Sequence, residues 1–243
     1  MKSSIGGQSR NREDKRYSLG TAHTMNSVSL VSTVHEELGL ANASELLAIL
    51  THIQPEVIFL EVPLAAFDDY YKTCNRQNLE SNAVRRYREN HRVKLVPVDA
   101  PTPEREFFED HQRLDAKIRE ASPEYCQLLN LDSSYLREHG FTYLNSEVCS
   151  NLWSEVYSAI HRTIEKIGDI RLREIREAWE RANDLREKTM IGNIQEYCSR
   201  NTFDRSVFLV GAAHRQGIIY KSQEQSETVS TRLKWDHLPG WLQ

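Results

Sequence analysis

A histidine three residues after a glycine occurs twice in this chain, at Gly20-Thr21-Ala22-His23 and at Gly211-Ala212-Ala213-His214. Each follows a run able to form a strand: Arg16–Leu19 before the first, and the apolar Val207–Val210 before the second. Glycine lets a chain turn sharply where a strand ends, and a side chain presented there stands in the crevice where open α/β sheets bind ligands. Glu61 belongs with them. It ends the apolar run Val57-Ile58-Phe59-Leu60, where a carboxylate is costly unless it is paired, liganded or turned to the crevice. Asp99 closes Leu95-Val96-Pro97-Val98 in the same way, and there a helix-capping or loop-anchoring role is an equal reading. Two imidazoles and a carboxylate suit a divalent transition metal (Mn, Co, Fe or Zn) and leave positions for water. A metal would bring the pKa of bound water towards ~7 and polarise a carbonyl. Without one, His23 or His214 can take a proton from water while Glu61 orients the ring. Taken singly, either motif also fits a histidine hydrogen-bonded in a turn. The remaining His35, His52, His91, His111, His139, His161 and His237 lack a strand-end setting and read as surface or packing residues.

Such residues need strands to hold them. Val57–Val62, Val93–Val98 and Val207–Val210 are apolar on consecutive positions, as in strands of a parallel or mixed sheet covered on both faces. Arg16–Leu19 is a weaker strand, and Val229–Trp235 alternates as an edge strand does. Helical patterns lie between: one capped by Ser27 with Leu30 or Val31, Val34 and Leu38 on its apolar face, then Ala43–Ile53 and Asn78–His91. The alternation predicts an α/β fold with a central sheet flanked by helices. From Thr102 to Asn201 apolar residues recur at helical spacing with no strand signal. This insertion, 102–201, reads as extra core packing and as a cap over the strand ends.

The chain reads as one domain, 15–243, after a short N-terminal arm, 1–14. Charged residues make up 27% and the formal net charge is -4, which argues against a nucleic-acid binder driven by phosphate neutralisation. No apolar run approaches the ~20 residues that span a bilayer, and the N-terminus lacks the apolar core of a signal peptide. Cys74, Cys126, Cys149 and Cys198 form no CxxC pair and read as reduced thiols. A cytoplasmic location follows as the expectation.

The order of the motifs resembles a known family. His23 continues as HTMNSVSLVSTVHEEL, IQPEVIFLEVP follows, and FLVGAAHRQGI comes near the end. This is similar to the TraB/PrgY (pheromone shutdown) family, within the larger group of Tiki proteins, erythromycin esterases and ChaN-like proteins. Two GxxH motifs, a strand-end glutamate and an arginine-bearing helix define that group. The arginine segment resembles Arg186-Glu187-Lys188-Thr189-Met190, with Ile191 and Asn193, and the sequence around Asp99 is similar to a further family motif. Ala213 stands where glycine is common and Glu187 where aspartate is commoner, and no membrane-spanning tail follows Gly217. The resemblance implies a hydrolase of a peptide or a small-molecule ester, with His23, Glu61 and His214 holding a metal or acting as base and acid. Gly20, Gly211, Asp99 and Glu187 would support them. Arg186, always protonated, would bind a developing oxyanion or a substrate carboxylate. The alternative is a non-enzymatic metal- or haem-binding protein, or a signalling protein that keeps the site for ligand binding.

Overall fold

A computed structural model of the chain describes residues 25–228 and 233–237. Its centre is a 5-stranded sheet of order β3-β2-β4-β1-β5, in which every pairing is parallel. The strands are β1 (Asn26–Thr33), β2 (Val57–Pro63), β3 (Lys94–Asp99), β4 (Arg205–Gly211) and β5 (Leu233–Asp236). The consecutive apolar positions of β2 and β4 are buried on both faces, as their lack of alternation predicts. Ile58, Leu60, Val207 and Leu209 point one way, into a core with α1 (Ala43–Ile53) and α3 (Leu79–Asn90). Val57, Phe59, Phe208 and Val210 point the other way, onto Met190, Ile191 and Ile194 of α7 (Ile170–Arg200) and Ile218 of α8 (Arg215–Thr228). The result is a three-layer α/β/α sandwich.

Local chemistry sets the helix ends. The Asn42 side chain accepts from the Ser44 and Glu45 amides to start α1. Asn78 and Ser81 form a reciprocal capping box at α3, which satisfies two of the amides a helix start leaves open. The insertion folds into α4 (Arg105–Ala121), α5 (Pro123–Leu144), α6 (Glu147–Ile167) and the first half of α7. These pack around a core of their own that includes Leu114, Ile118, Val156, Ile164 and Ile175. Its termini obey the same rules: Pro123 opens α5 behind Ser122, and Gly168, at φ 73°, closes α6. α5 breaks at Gly140 (φ 49°), where a Cβ would meet the Leu40 backbone at 2.6 Å. The loop after β1 nests in that break, and the Leu40 amide donates to the Arg137 carbonyl oxygen.

One expected element is corrected. The segment capped by Ser27 is not a helix but β1, a strand lying between β4 and β5 and buried along most of its length. The spacing of Leu30, Val34 and Leu38 mimics a helical stripe. Yet Val28 and Leu30 face one core and Val31 the other, and Leu38 belongs to a tight bridge with Ala41. The expected strand Arg16–Leu19 lies outside the described residues, as does the start of Val229–Trp235; the rest of the latter is β5, an edge strand as its alternation suggests. All four cysteines are free. Among the described residues no helix is long and apolar enough to cross a membrane.

Candidate functional site

The carboxyl ends of β1, β2, β3 and β4 open into a cavity of about 680 Å³, the place where parallel sheets gather ligands. Glu61 enters it from β2, on the side of the strand that carries Val57 and Phe59 towards α7. Asp99 enters from the end of β3, and His214 from the short 3-10 turn Ala212–His214 after β4. Arg186 comes down from α7. Trp179, Asn183 and Arg186 all line the cavity, and their spacing along the helix puts them on one face.

Arg186 organises the charges. Its Nε and Nη2 donate to the Asp99 carboxylate at 3.1 and 2.8 Å, a two-point contact. Nη2 also reaches Glu61 Oε1 at 2.6 Å, and Nη1 lies 3.0 Å from His214 Nε2. Glu61 Oε2 accepts from the Gly211 amide. The Glu61 and Asp99 side chains are only 8% and 5% exposed. Burial favours a protonated Glu61, but His214, Arg186 and the Gly211 amide outweigh it and hold the pKa down at about 2.

His214 is gripped from its other side. Nδ1 lies 2.9 Å from Glu187 Oε1, and Lys221 of α8 donates to Glu187 Oε2 at 2.7 Å. Consecutive residues of a helix diverge by about 100°, so Arg186 and Glu187 serve opposite edges of the same ring. A guanidinium can only donate. In this arrangement Nε2 is therefore the acceptor, and the ring's one proton sits on Nδ1, facing Glu187. Burial opposes a second proton, but Glu187 and Glu61 favour it and lift the pKa to about 9. The added Nε2–H would turn to Glu61 Oε1, 3.4 Å away, and the guanidinium would have to give way. Ring and guanidinium thus compete for one carboxylate oxygen.

Glycine is required beside this grip. A Cβ at Gly217 would lie 2.0 Å from Glu187 Oε2. Gly217→Ala should therefore push Glu187 off His214 and drop the ring's pKa from about 9. An NMR titration of the ring reads this directly, and an unchanged titration would show that Glu187 does not set it.

Two groups at the site were not expected from the sequence. His35, read there as a surface or packing residue, follows β1 and lines the cavity. Its Nδ1 lies 3.1 Å from Glu80 Oε1, which also accepts from Thr33 Oγ1 at 2.7 Å. The Glu80 hydrogen bond, working against burial, raises the pKa of His35 to about 9. Glu80, whose Oε2 is buried and accepts no hydrogen bond, comes from the first turn of α3. A detectable signal existed: Ser32-Thr33-Val34-His35 puts a histidine three residues beyond a small strand-end residue, as Gly211–His214 does. His111, read as a surface or packing residue, packs: its ring stacks on Trp179 at 3.6 Å.

Gly20 and His23 lie outside the described residues. Glu61, Asp99, Arg186, Glu187, Gly211 and His214 come together as one connected network. Among the described residues Glu61 Oε1, the Asp99 carboxylate and His214 Nε2 face the Arg186 guanidinium, and no three His, Cys, Asp or Glu side chains are placed to hold an ion; His23, expected from the sequence as a further ligand, lies outside them.

Fold and site together define an α/β protein with an imidazole held between a carboxylate and a guanidinium at the carboxyl ends of parallel strands. No protein-family model matches the chain, and neither a curated protein nor a solved structure matches it.

Proposed function

We propose that this protein is a hydrolase that cleaves a peptide or ester bond by acid–base chemistry at His214. The observation that carries this reading is the Glu187–His214–Arg186 line. A carboxylate fixes the proton on one ring nitrogen, and the other nitrogen faces the cavity beside a guanidinium. A substrate carbonyl would draw Arg186 off Nε2. The freed nitrogen would take a proton from water as the water oxygen bonds to the carbonyl carbon, and Arg186 would hold the oxyanion. The proton then passes to the leaving nitrogen or oxygen as its bond to carbon breaks. His35, which keeps its proton to about pH 9, is the second acid of the cavity. It follows the carboxyl end of β1, a strand-end setting of the kind that the TraB/PrgY resemblance gives to a GxxH histidine.

The test is a broad peptide and ester screen, run from neutral to alkaline pH. Activity should climb from pH 7 towards 9, since His214 must shed its second proton to act as base and its pKa is about 9. An optimum near pH 5, where both rings are fully charged, would sink the mechanism. A second reading, a ligand-holding site without turnover, is favoured by the saturation of the network, in which Glu61, Asp99 and Glu187 are already paired. A screen without activity from protein that still binds cavity ligands would select it.

A further inference from the structure

We propose that the cavity takes an extended acyl compound that carries an aromatic ring about 10 Å from the carbonyl it offers to Arg186 and His214. The distance comes from α7. Trp179 and Arg186 lie on one face of that helix and line the same cavity, and at 1.5 Å per residue their separation along the axis is about 10 Å. The two ends differ sharply in chemistry. At the Arg186 end the walls are carboxylates and imidazole. Around Trp179 the lining includes the rings of Phe107 and Phe108 from α4.

Those rings are held ready. Phe107 stacks on Trp179 with centroids 5.1 Å apart and planes 11° from parallel, and Phe108 meets Phe107 edge-on at 5.5 Å. Phe108 nonetheless stays 40% exposed while lining the cavity. An apolar ring left uncovered beside partners already stacked adds a flat ligand at little ordering cost, and prefers an aromatic one for its edge and face contacts.

The carbonyl end of this proposal rests on the hydrolase reading; the ring end does not. The probes are phenylalkanamides whose chain lengthens one methylene at a time, each beside its cyclohexyl analogue, with binding measured by calorimetry on the full chain. Affinity should peak where ring and carbonyl stand about 10 Å apart, with phenyl preferred over cyclohexyl by roughly 2- to 10-fold. Trp179→Leu should flatten the peak. Phe108→Ala, at an exposed ring that the fold does not need, should weaken it if the first variant fails to fold. Affinity that rises evenly with every methylene, or a peak unchanged in Phe108→Ala, would overturn the proposal. Because binding is read without turnover, a peaked series from a protein with no hydrolytic activity would reject the hydrolase reading and keep this one. Turnover with no preference for ring or spacing would do the reverse.

Discussion

Replacing His214 with alanine should lower turnover by ~10²-fold or more, the usual cost of removing a group that moves a proton in the transition state, while the protein still folds. The ring contributes nothing to the apolar cores on either face of the sheet. Its loss also leaves Glu187 with Lys221 and Glu61 with Arg186, so neither carboxylate is stranded. Glu187→Gln should cost less than His214→Ala, since the amide can still meet the ring but cannot favour its charge. It should also move the rising limb of the pH profile to lower pH, because Glu187 helps to hold the ring's pKa at about 9. Lys94→Ala, at the exposed start of β3, serves as the control and should change little. Turnover of the screened substrate and a thermal melt on each variant settle the matter. Full activity in His214→Ala would remove the base from the mechanism.

Arg186→Met should produce the largest loss of stability from a single change in the cavity. It removes the guanidinium that pairs with Asp99 and, beside His214 and the Gly211 amide, with Glu61, carboxylates that are 5% and 8% exposed. Stranding buried charges in this way costs about 3–5 kcal/mol, a fall in Tm on the order of 10 °C for a chain of this size. The pH dependence has a definite sign. In the native protein Glu61 has its pKa lowered from 4.5 to about 2. Its stabilising share is therefore present above the unfolded value and is lost as pH falls through the folded one. In Arg186→Met that depression shrinks, so the gap in Tm between variant and native protein should be widest near neutral pH and should narrow below pH 5. An equal gap at every pH would mean that packing of the arginine stem, not its charge, is what the fold uses.

Much of the architecture can be read from residue types. Val57–Val62 and Val207–Val210 announce doubly covered strands because both faces of each must be apolar, and Asn78 with Ser81 marks a helix start by its own hydrogen bonding. β1 is harder. Its serines alternate with Val28 and Leu30 as an exposed strand's would, but neighbouring strands cover it on both sides, and no pattern in one segment reveals its neighbours. The same limit applies to the site. Glu61 and His214 are legible because each ends an obvious strand. His35 has only the signal of Ser32–His35, which can be read once the end of β1 is placed at Thr33. Glu80 is hidden more deeply, because a glutamate in a helix's first turn ordinarily favours the helix dipole and gives no hint that the turn faces a cavity. Lys221 becomes visible only when α8 is laid beside α7.

The length of α7 gives the protein a mechanical property. Its 31 residues make a rod of about 46 Å, anchored at one end among the insertion helices and at the other against the sheet, where Asn193 donates to the Val98 carbonyl oxygen. Arg186 sits between the two anchorages, so the rod has a fulcrum at the charged centre. A tilt of the insertion bundle would carry Trp179 through a wider arc than Arg186 and would open or narrow the aromatic end while the ion pairs hold. One helix thus carries both the aromatic end of the cavity, at Trp179, and the arginine of its charged centre.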